Sequence, residues 1–396
     1  MMRPKPRKSR PKNSKPRAPQ SEKVEHFHTS LSNPNITHEN LPTEILTRIF
    51  EYLTLKELVQ CGSICQRWKI IISNTEKLWK MANLTGKAVP VSFLNHLCSR
   101  GTKYLSIQEA RLIKDEEFSD IQESKITNLN LYGFKNGYKN WVSDVLEKLL
   151  KTCHFVKKLA LAKLVLNPNF QTGIIQNASK LTVLNLWCCK GLTVDMIDAI
   201  FTNCQELTEV NIGGTSSGTS DLDRFSNVLS EEAVGIFCKK ISPKLQKLSL
   251  AGCMVKNCHI KKLVERCPNI TELNLHATPL QEDCVDIIIK GFFKTLIKLH
   301  LPYFVNFQRG QNPFAIDSTK LCLGDLPNLK YFWFRKNSLG DDGKEILNQM
   351  LPKVIINRGV FDIASPNEAF WDIKCKRSNI FKENLKRPFQ AYYPTW

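Results

Sequence analysis

A short apolar unit, L-x-L, recurs beyond residue 100 and constrains the fold of this 396-residue chain more than any other feature. It is filled by Leu105/Ile107, Leu129/Leu131, Leu159/Leu161, Leu184/Leu186, Val210/Ile212, Leu248/Leu250, Leu273/Leu275, Leu299/Leu301 and Phe332/Phe334. The first members are separated by 24, 30, 25, 26, 38, 25, 26 and 33 residues, a basal period near 25 with insertions. Within a unit the pattern alternates as in a strand. Between units it turns helical, as in Val142, Val145, Leu146, Leu149 and Cys153, or Ile260, Leu263, Val264 and Cys267. One strand-helix unit cannot cover its own apolar face, whereas stacked units bury a continuous core. Residues 86–357 are therefore expected to form an α/β right-handed solenoid, a curved parallel sheet inside and helices outside. The two longest steps place insertions at 213–225 and 304–317, expected to decorate a rim.

Side chains alternate along a strand, so the residues between and just after the inward leucines should line the concave face. The middle column reads Asn130, Ala160, Asn185, Asn211, Ser249, Asn274, His300 and Trp333; the next reads Tyr132, Ala162, Trp187, Gly213, Ala251, His276, Pro302 and Arg335. Candidate contacts to a bound polypeptide are Tyr132, Asn185, Trp187, Asn211, Asn274, His276, His300, Trp333 and Arg335. Tyr132, Trp187, Trp333 and Arg335 are the residue types enriched at binding hot spots. The competing reading is that these aromatic side chains cover neighbouring repeats.

Ahead of the repeats, residues 41–79 carry a different pattern. Pro42 suits a first helical turn, and Ile45, Leu46, Ile49, Phe50 and Leu53 recur at steps of three and four. Thr54 followed by Glu57 forms a capping box for a second helix through Leu55, Leu58 and Val59, and a third carries Cys65, Trp68, Ile71 and Ile72. Three helices of this size bury too little area to be comfortable alone, which implies a partner.

The formal charge of +19 is uneven, since residues 1–20 hold eight Lys/Arg and no acid. A Pro-studded basic start cannot bury apolar surface, so residues 1–36 are expected to be a disordered tail serving nuclear import, phosphate contact or solubility. The first forty residues lack the apolar stretch of a secretory signal, and the run from Val285 to Phe293 is too short to span a bilayer. A soluble intracellular protein with reduced thiols is expected, in nucleus and cytoplasm. The fourteen cysteines lack metal-ligand spacing; Cys253, Cys258 and His259 have no second ligand pair, so no metal is expected. Cys153, Cys204 and Cys267 each sit six residues before a unit, as small buried fillers. No P-loop, HExxH or GxSxG is present, the Gly213, Gly214 and Gly218 cluster has the wrong spacing for a dinucleotide, and Cys188-Cys189 has no base in sequence. Neither enzyme activity nor a cofactor is expected. A basic nucleic-acid scaffold is disfavoured because the tail lacks interleaved aromatics.

The pattern LPxExxxxIFxxL, LxxC, CxxW and LW is filled by Leu41, Pro42, Glu44, Ile49, Phe50, Leu53, Leu58, Cys61, Cys65, Trp68, Leu78 and Trp79, and it resembles the F-box. The repeats resemble the cysteine-containing class of leucine-rich repeats. Together with LTGK after the module and LPKVIIN…FWDIKCK near the end, they are similar to the S-phase kinase-associated F-box receptors over about residues 37–380. The resemblance implies an F-box at 37–85, repeats at 86–357 and a C-terminal tail at 358–396 packed partly on the arc through Trp371, Ile373 and Cys375. It implies docking to a Skp-family adaptor, and through it a cullin and a RING protein, by Leu41, Pro42, Ile45, Ile49, Phe50, Leu53, Leu58, Cys61, Cys65, Trp68, Leu78 and Trp79. The implied role is the non-catalytic substrate receptor of a ubiquitin ligase, its client a phosphorylated cell-cycle regulator held with a small cyclin-kinase accessory subunit. An unrelated client is the alternative, because Ala277, Thr278 and Pro302 stand where the vertebrate form places charged groups.

Overall fold

The computed structural model describes residues 41–119, 124–133, 140–215, 228–281, 283–302, 323, 326–333, 349 and 351–356. Four short helices come first: α1 (Thr43–Phe50), α2 (Leu55–Gly62), α3 (Gln66–Asn74) and α4 (Glu76–Trp79). The capping box forms as its spacing predicts, with Glu57 N–H donating to Thr54 Oγ1 at 3.3 Å and Thr54 N–H to Glu57 Oε2 at 2.6 Å. Cys65 lies outside the third helix as its cap, its sulfur accepting the Trp68 N–H at 3.5 Å. The fourth helix, unforeseen in the sequence, buries Leu78 and Trp79 in the core that the module shares with the repeats.

Among the described residues eleven strands then build one parallel sheet: β1 (Met81–Asn83), β3 (Tyr104–Ser106), β5 (Asn128–Asn130), β6 (Lys158–Ala160), β7 (Val183–Asn185), β8 (Glu209–Asn211), β9 (Lys247–Ser249), β10 (Glu272–Asn274), β11 (Lys298–His300), β12 (Tyr331–Trp333) and β13 (Ile355–Ile356). Every neighbour is the next repeat, in register leucine to leucine, so that Leu129 pairs Leu159 and Leu159 pairs Leu184. A separate two-stranded sheet joins β2 (Ala88–Pro90) to β4 (Arg111–Ile113). The sheet begins at Met81, inside the segment expected to close the first module at residue 85, because Met81–Asn83 pairs with Tyr104–Ser106.

Helices return the chain between strands: α5 (Val91–Ser99), α6 (Asn140–Thr152), α7 (Pro168–Ile175), α8 (Val194–Asn203), α9 (Glu231–Lys240), α10 (Asn257–Arg266) and α11 (Cys284–Phe292). Adjacent helices pack on one another as the strands do. The core between the two layers is continuous from Leu46 to Leu351, and the leucines of every described unit are buried. Cys153, Cys204 and Cys267 have no exposed surface, as their spacing predicts. Polar groups bind the turns together: Thr127, Thr182, Thr208 and Thr271 each donate a hydroxyl to a carbonyl of the preceding repeat at 3.1 to 3.2 Å. Buried Asn177 accepts the Val156 N–H at 2.9 Å and donates to the Cys153 and Gly173 carbonyls. These bonds satisfy backbone groups that a solenoid would otherwise bury unpaired.

The basic tail over 1–36, the tail over 358–396 with Trp371, Ile373 and Cys375, the insertion over 304–317 and Arg335 lie outside the described residues, as does most of the 213–225 insertion.

Candidate protein-docking surfaces

The apolar stripe of α1 divides between two environments. Leu46 and Phe50 are 1% exposed and belong to the chain's own core, whereas Ile45 and Ile49, one turn apart, are 43% and 45% exposed. Tyr52, Val59, Ile64 and Ile70 are at least half exposed as well. Six large apolar side chains within 26 residues of sequence thus face outward, a density that marks interaction surfaces rather than scattered surface hydrophobes. The expected adaptor contacts are corrected accordingly: Phe50, Leu58, Leu78 and Trp79 are buried in the chain's own core and shape the module from within. Phe50 meets Trp68 edge-on at 5.2 Å, and the Trp79 indole N–H donates to the Ile72 carbonyl at 2.7 Å. Leu41, Leu53, Cys61 and Trp68 are half-buried against that core, Cys65 is half-buried as the cap of α3, and Pro42 is exposed with Ile45 and Ile49. The sequence reading missed Tyr52, Ile64 and Ile70, because helical spacing alone does not say which side of a small bundle is already covered.

On the concave side, the asparagines expected to hold a partner are spent locally. Asn185, Asn211 and Asn274 are 3%, 8% and 5% exposed. Their Oδ1 atoms accept the N–H two residues on, from Trp187, Gly213 and His276, at 2.9 to 3.0 Å, and Asn130 does the same for Tyr132. Each amide closes the turn leaving its strand, the local bond that Asn favours, so that Asn185, Asn211 and Asn274 are buried and bonded within the chain, contrary to the exposed placement that their column suggested. Tyr132 and Trp333 are also largely buried, while Trp187, His276 and His300 are partly buried.

The aromatic residues do reach across repeats. Tyr132 and Trp187 lie parallel with centroids 6.2 Å apart, His276 and His300 are 4.6 Å apart and His300 and Trp333 6.5 Å apart, while Tyr331 stacks on Trp333 within β12 at 5.7 Å. Burial, with His276 beside it, pushes the His300 imidazole down to about 3, so this ring is neutral at physiological pH. A third column, one step ahead of the two read from the sequence, carries charge. Lys247 pairs with Glu209 at 3.0 Å, and Lys298 pairs with Glu272 at 3.2 Å and lies over the Tyr331 ring. The same period-two alternation that found the other columns marks this one. Lys163, just past β6, places its ammonium over both the Tyr132 and Trp187 rings, at 5.3 and 5.2 Å. It was missed because it lies beyond the alternating stretch.

Burial pushes the Cys188 thiol up to about 11 and Cys189 to about 12, so both stay protonated at neutral pH and neither is a thiolate nucleophile. Among the described residues no group of three or more His, Cys, Asp or Glu is placed to hold a metal ion, every cysteine is free, and no helix is long and apolar enough to cross a membrane.

Two family models match the chain. Residues 92–378 match the family model of the SKP2 LRR domain, and residues 38–85 match the F-box-like model. F-box/LRR-repeat protein 5 of Salmo salar is 26% identical over 226 residues, which are 54% of this chain and 29% of that protein; the chain thus spans less than a third of this relative's length. Among solved structures, similarity extends to the Rad7 and Elc1 complex of yeast (12% identity, TM-score 0.44, 80% of this chain and 92% of that one). It extends also to an LRR protein of Leptospira interrogans (16% identity, TM-score 0.37, 72% of this chain and 74% of that one).

Proposed function

This chain belongs to the F-box/leucine-rich-repeat family, its repeats being of the SKP2 type, and from that premise we propose that it is the substrate-recognition subunit of a Skp/cullin/F-box ubiquitin ligase. The observation that carries the reading is the row of exposed apolar side chains Ile45, Ile49, Tyr52, Val59, Ile64 and Ile70 on the F-box-like segment. Left in water they cost hydrophobic free energy of roughly 1.5–3 kcal/mol per fully buried aliphatic side chain. A Skp-family adaptor covering them recovers it. The adaptor in turn joins the chain to the cullin and the RING protein.

The arc then holds a client, and the reaction is driven by proximity. A client lysine is raised to high effective concentration beside the ubiquitin-charged enzyme, with no residue of this chain touching the reacting bond. The client proposed is a phosphorylated cell-cycle regulator, met in the nucleus or the cytoplasm, with a cyclin-kinase accessory subunit as the partner to look for. Ala277, exposed in the turn past β10, is uncharged where the vertebrate form is expected to carry charge, which argues for an accessory contact unlike that of the vertebrate form.

The test is co-purification of the full chain with a Skp-family adaptor. Ile45→Asp with Ile49→Asp is expected to weaken adaptor binding by more than about tenfold while leaving the melting temperature within about 2 °C, since neither side chain is in the core. Undiminished adaptor binding by that variant would sink the proposal. Phe50→Ala is the wrong probe, because it removes a core side chain and unfolds the module whether or not it docks.

A further inference from the structure

The turn that leaves each inner strand passes through one left-handed residue, held by Glu109, Gly133, Lys163, Cys188, Gly214, Gly252 and Ala277 with φ between 52° and 72°. Glycine is the least strained occupant there, and strain retained by a larger side chain at an exposed position points toward use. Of the four that are not glycine, Lys163 alone is a cation. Its side chain does not swing free. Beyond Lys158, β6 and the turn after it place only the small, fully buried Ala160 and Ala162 in the concave columns, so Tyr132 from the repeat before and Trp187 from the repeat after approach each other across them. Their rings are parallel within 2°, and the Lys163 ammonium lies 5.3 and 5.2 Å from the two centroids. None of the ion pairs among the described residues involves Lys163, although its side chain is exposed. The cation is thus pre-positioned by two π faces and forms no ion pair among the described residues, the Glu109 and Lys163 side chains both bordering Gly133.

We propose that Lys163, with Tyr132 and Trp187, is the anion-reading position of the concave face and takes a carboxylate or phosphate side chain from a client segment lying across β5, β6 and β7. This rests on the reading of the arc as the client-holding surface. The two rings order the lysine before binding, so little side-chain entropy remains to be lost when the anion arrives. A cation in this setting makes a charge-assisted hydrogen bond to the incoming oxygen, while the rim of Trp187 packs on the residue beside it.

The test uses the full chain and three pools of fluorescein-labelled ten-residue peptides of uncharged sequence, whose central residue is Glu, phosphoserine or Gln. Fluorescence anisotropy is expected to show at least one anionic pool bound about tenfold or more tightly than the Gln pool, and which pool it is separates carboxylate from phosphate. Lys163→Gly should erase that preference while keeping or raising the melting temperature, since glycine suits the turn; Lys163→Arg should retain it. Equal binding of all three pools, or a preference that survives in Lys163→Gly, overturns the proposal. Adaptor co-purification is measured on the same variants, so loss of anion reading with intact adaptor binding separates this inference from the receptor assignment itself.

Discussion

At the scale of single residues, His300 shows how the solenoid bends ordinary chemistry. Its imidazole is pushed down to about 3, first by burial and second by His276, whereas an unfolded histidine titrates near 6.5. Above pH 6.5 the ring is neutral in both states and its protonation does not affect stability. As the pH falls below that, the unfolded chain takes up the proton first and stability is lost, down to the folded value near 3. At pH 5 the loss should be about 2 kcal/mol, and His300→Gln should lose that much less between pH 7 and pH 5 in urea titrations. Equal slopes for the two proteins would show that the ring is protonated in the native state. Asn177 illustrates what a sequence conceals at this scale. It looks like one more polar residue at a helix end, yet it has no exposed surface and bonds three backbone groups.

At the scale of elements, the arc depends on helices that approach one another closely. A Cβ at Gly291 on α11 would overlap the Val264 side chain on α10. Gly291→Ala gains about 1 kcal/mol of helix propensity but forces overpacking that costs about 1–3 kcal/mol, so net destabilisation is expected by urea unfolding. Adding Val264→Ala should restore part of it; a double variant no more stable than Gly291→Ala would place the strain elsewhere. The same scale explains what happened to the first module. Its helices and capping box were legible because periodicity and cap chemistry are local. Which face of α1 is covered was not, since the covering residues, Trp68 and Ile72 among them, come from a different helix.

At the scale of the molecule, the F-box-like helices and the arc share one core. Trp79 is its hinge point: its indole donates to Ile72 in the module, and its carbonyl accepts the Thr102 hydroxyl at 3.0 Å from the first repeat. Lys125 on the arc meets Glu76 on α4 at 3.2 Å. The proposed receptor role calls for such a fixed joint, because a loose one would dilute the effective concentration of a bound client. Trp79→Ala is expected to cost about 3–5 kcal/mol. Hydrogen exchange should then rise together over residues 66–79 and 81–106; a rise confined to the helices would mean that module and arc unfold separately.

What the sequence determined by itself is whatever recurs or is local. The L-x-L period set nine of the eleven described strands of the sheet and the register of leucine on leucine. Thr54 and Glu57 set a helix start, and the residues from Leu41 to Trp79 identified the module. Only the tertiary structure decided which of those residues remain outside. Phe50 and Ile49 are neighbours with the same affinity for oil, yet one fills the core and the other is left exposed. The asparagines of the concave columns are consumed by their own turns, while Lys163, outside any alternating pattern, is carried to the surface between two rings by strands on either side. Burial and charge pairing are properties of neighbours brought together from distant parts of the chain, and no local period encodes them.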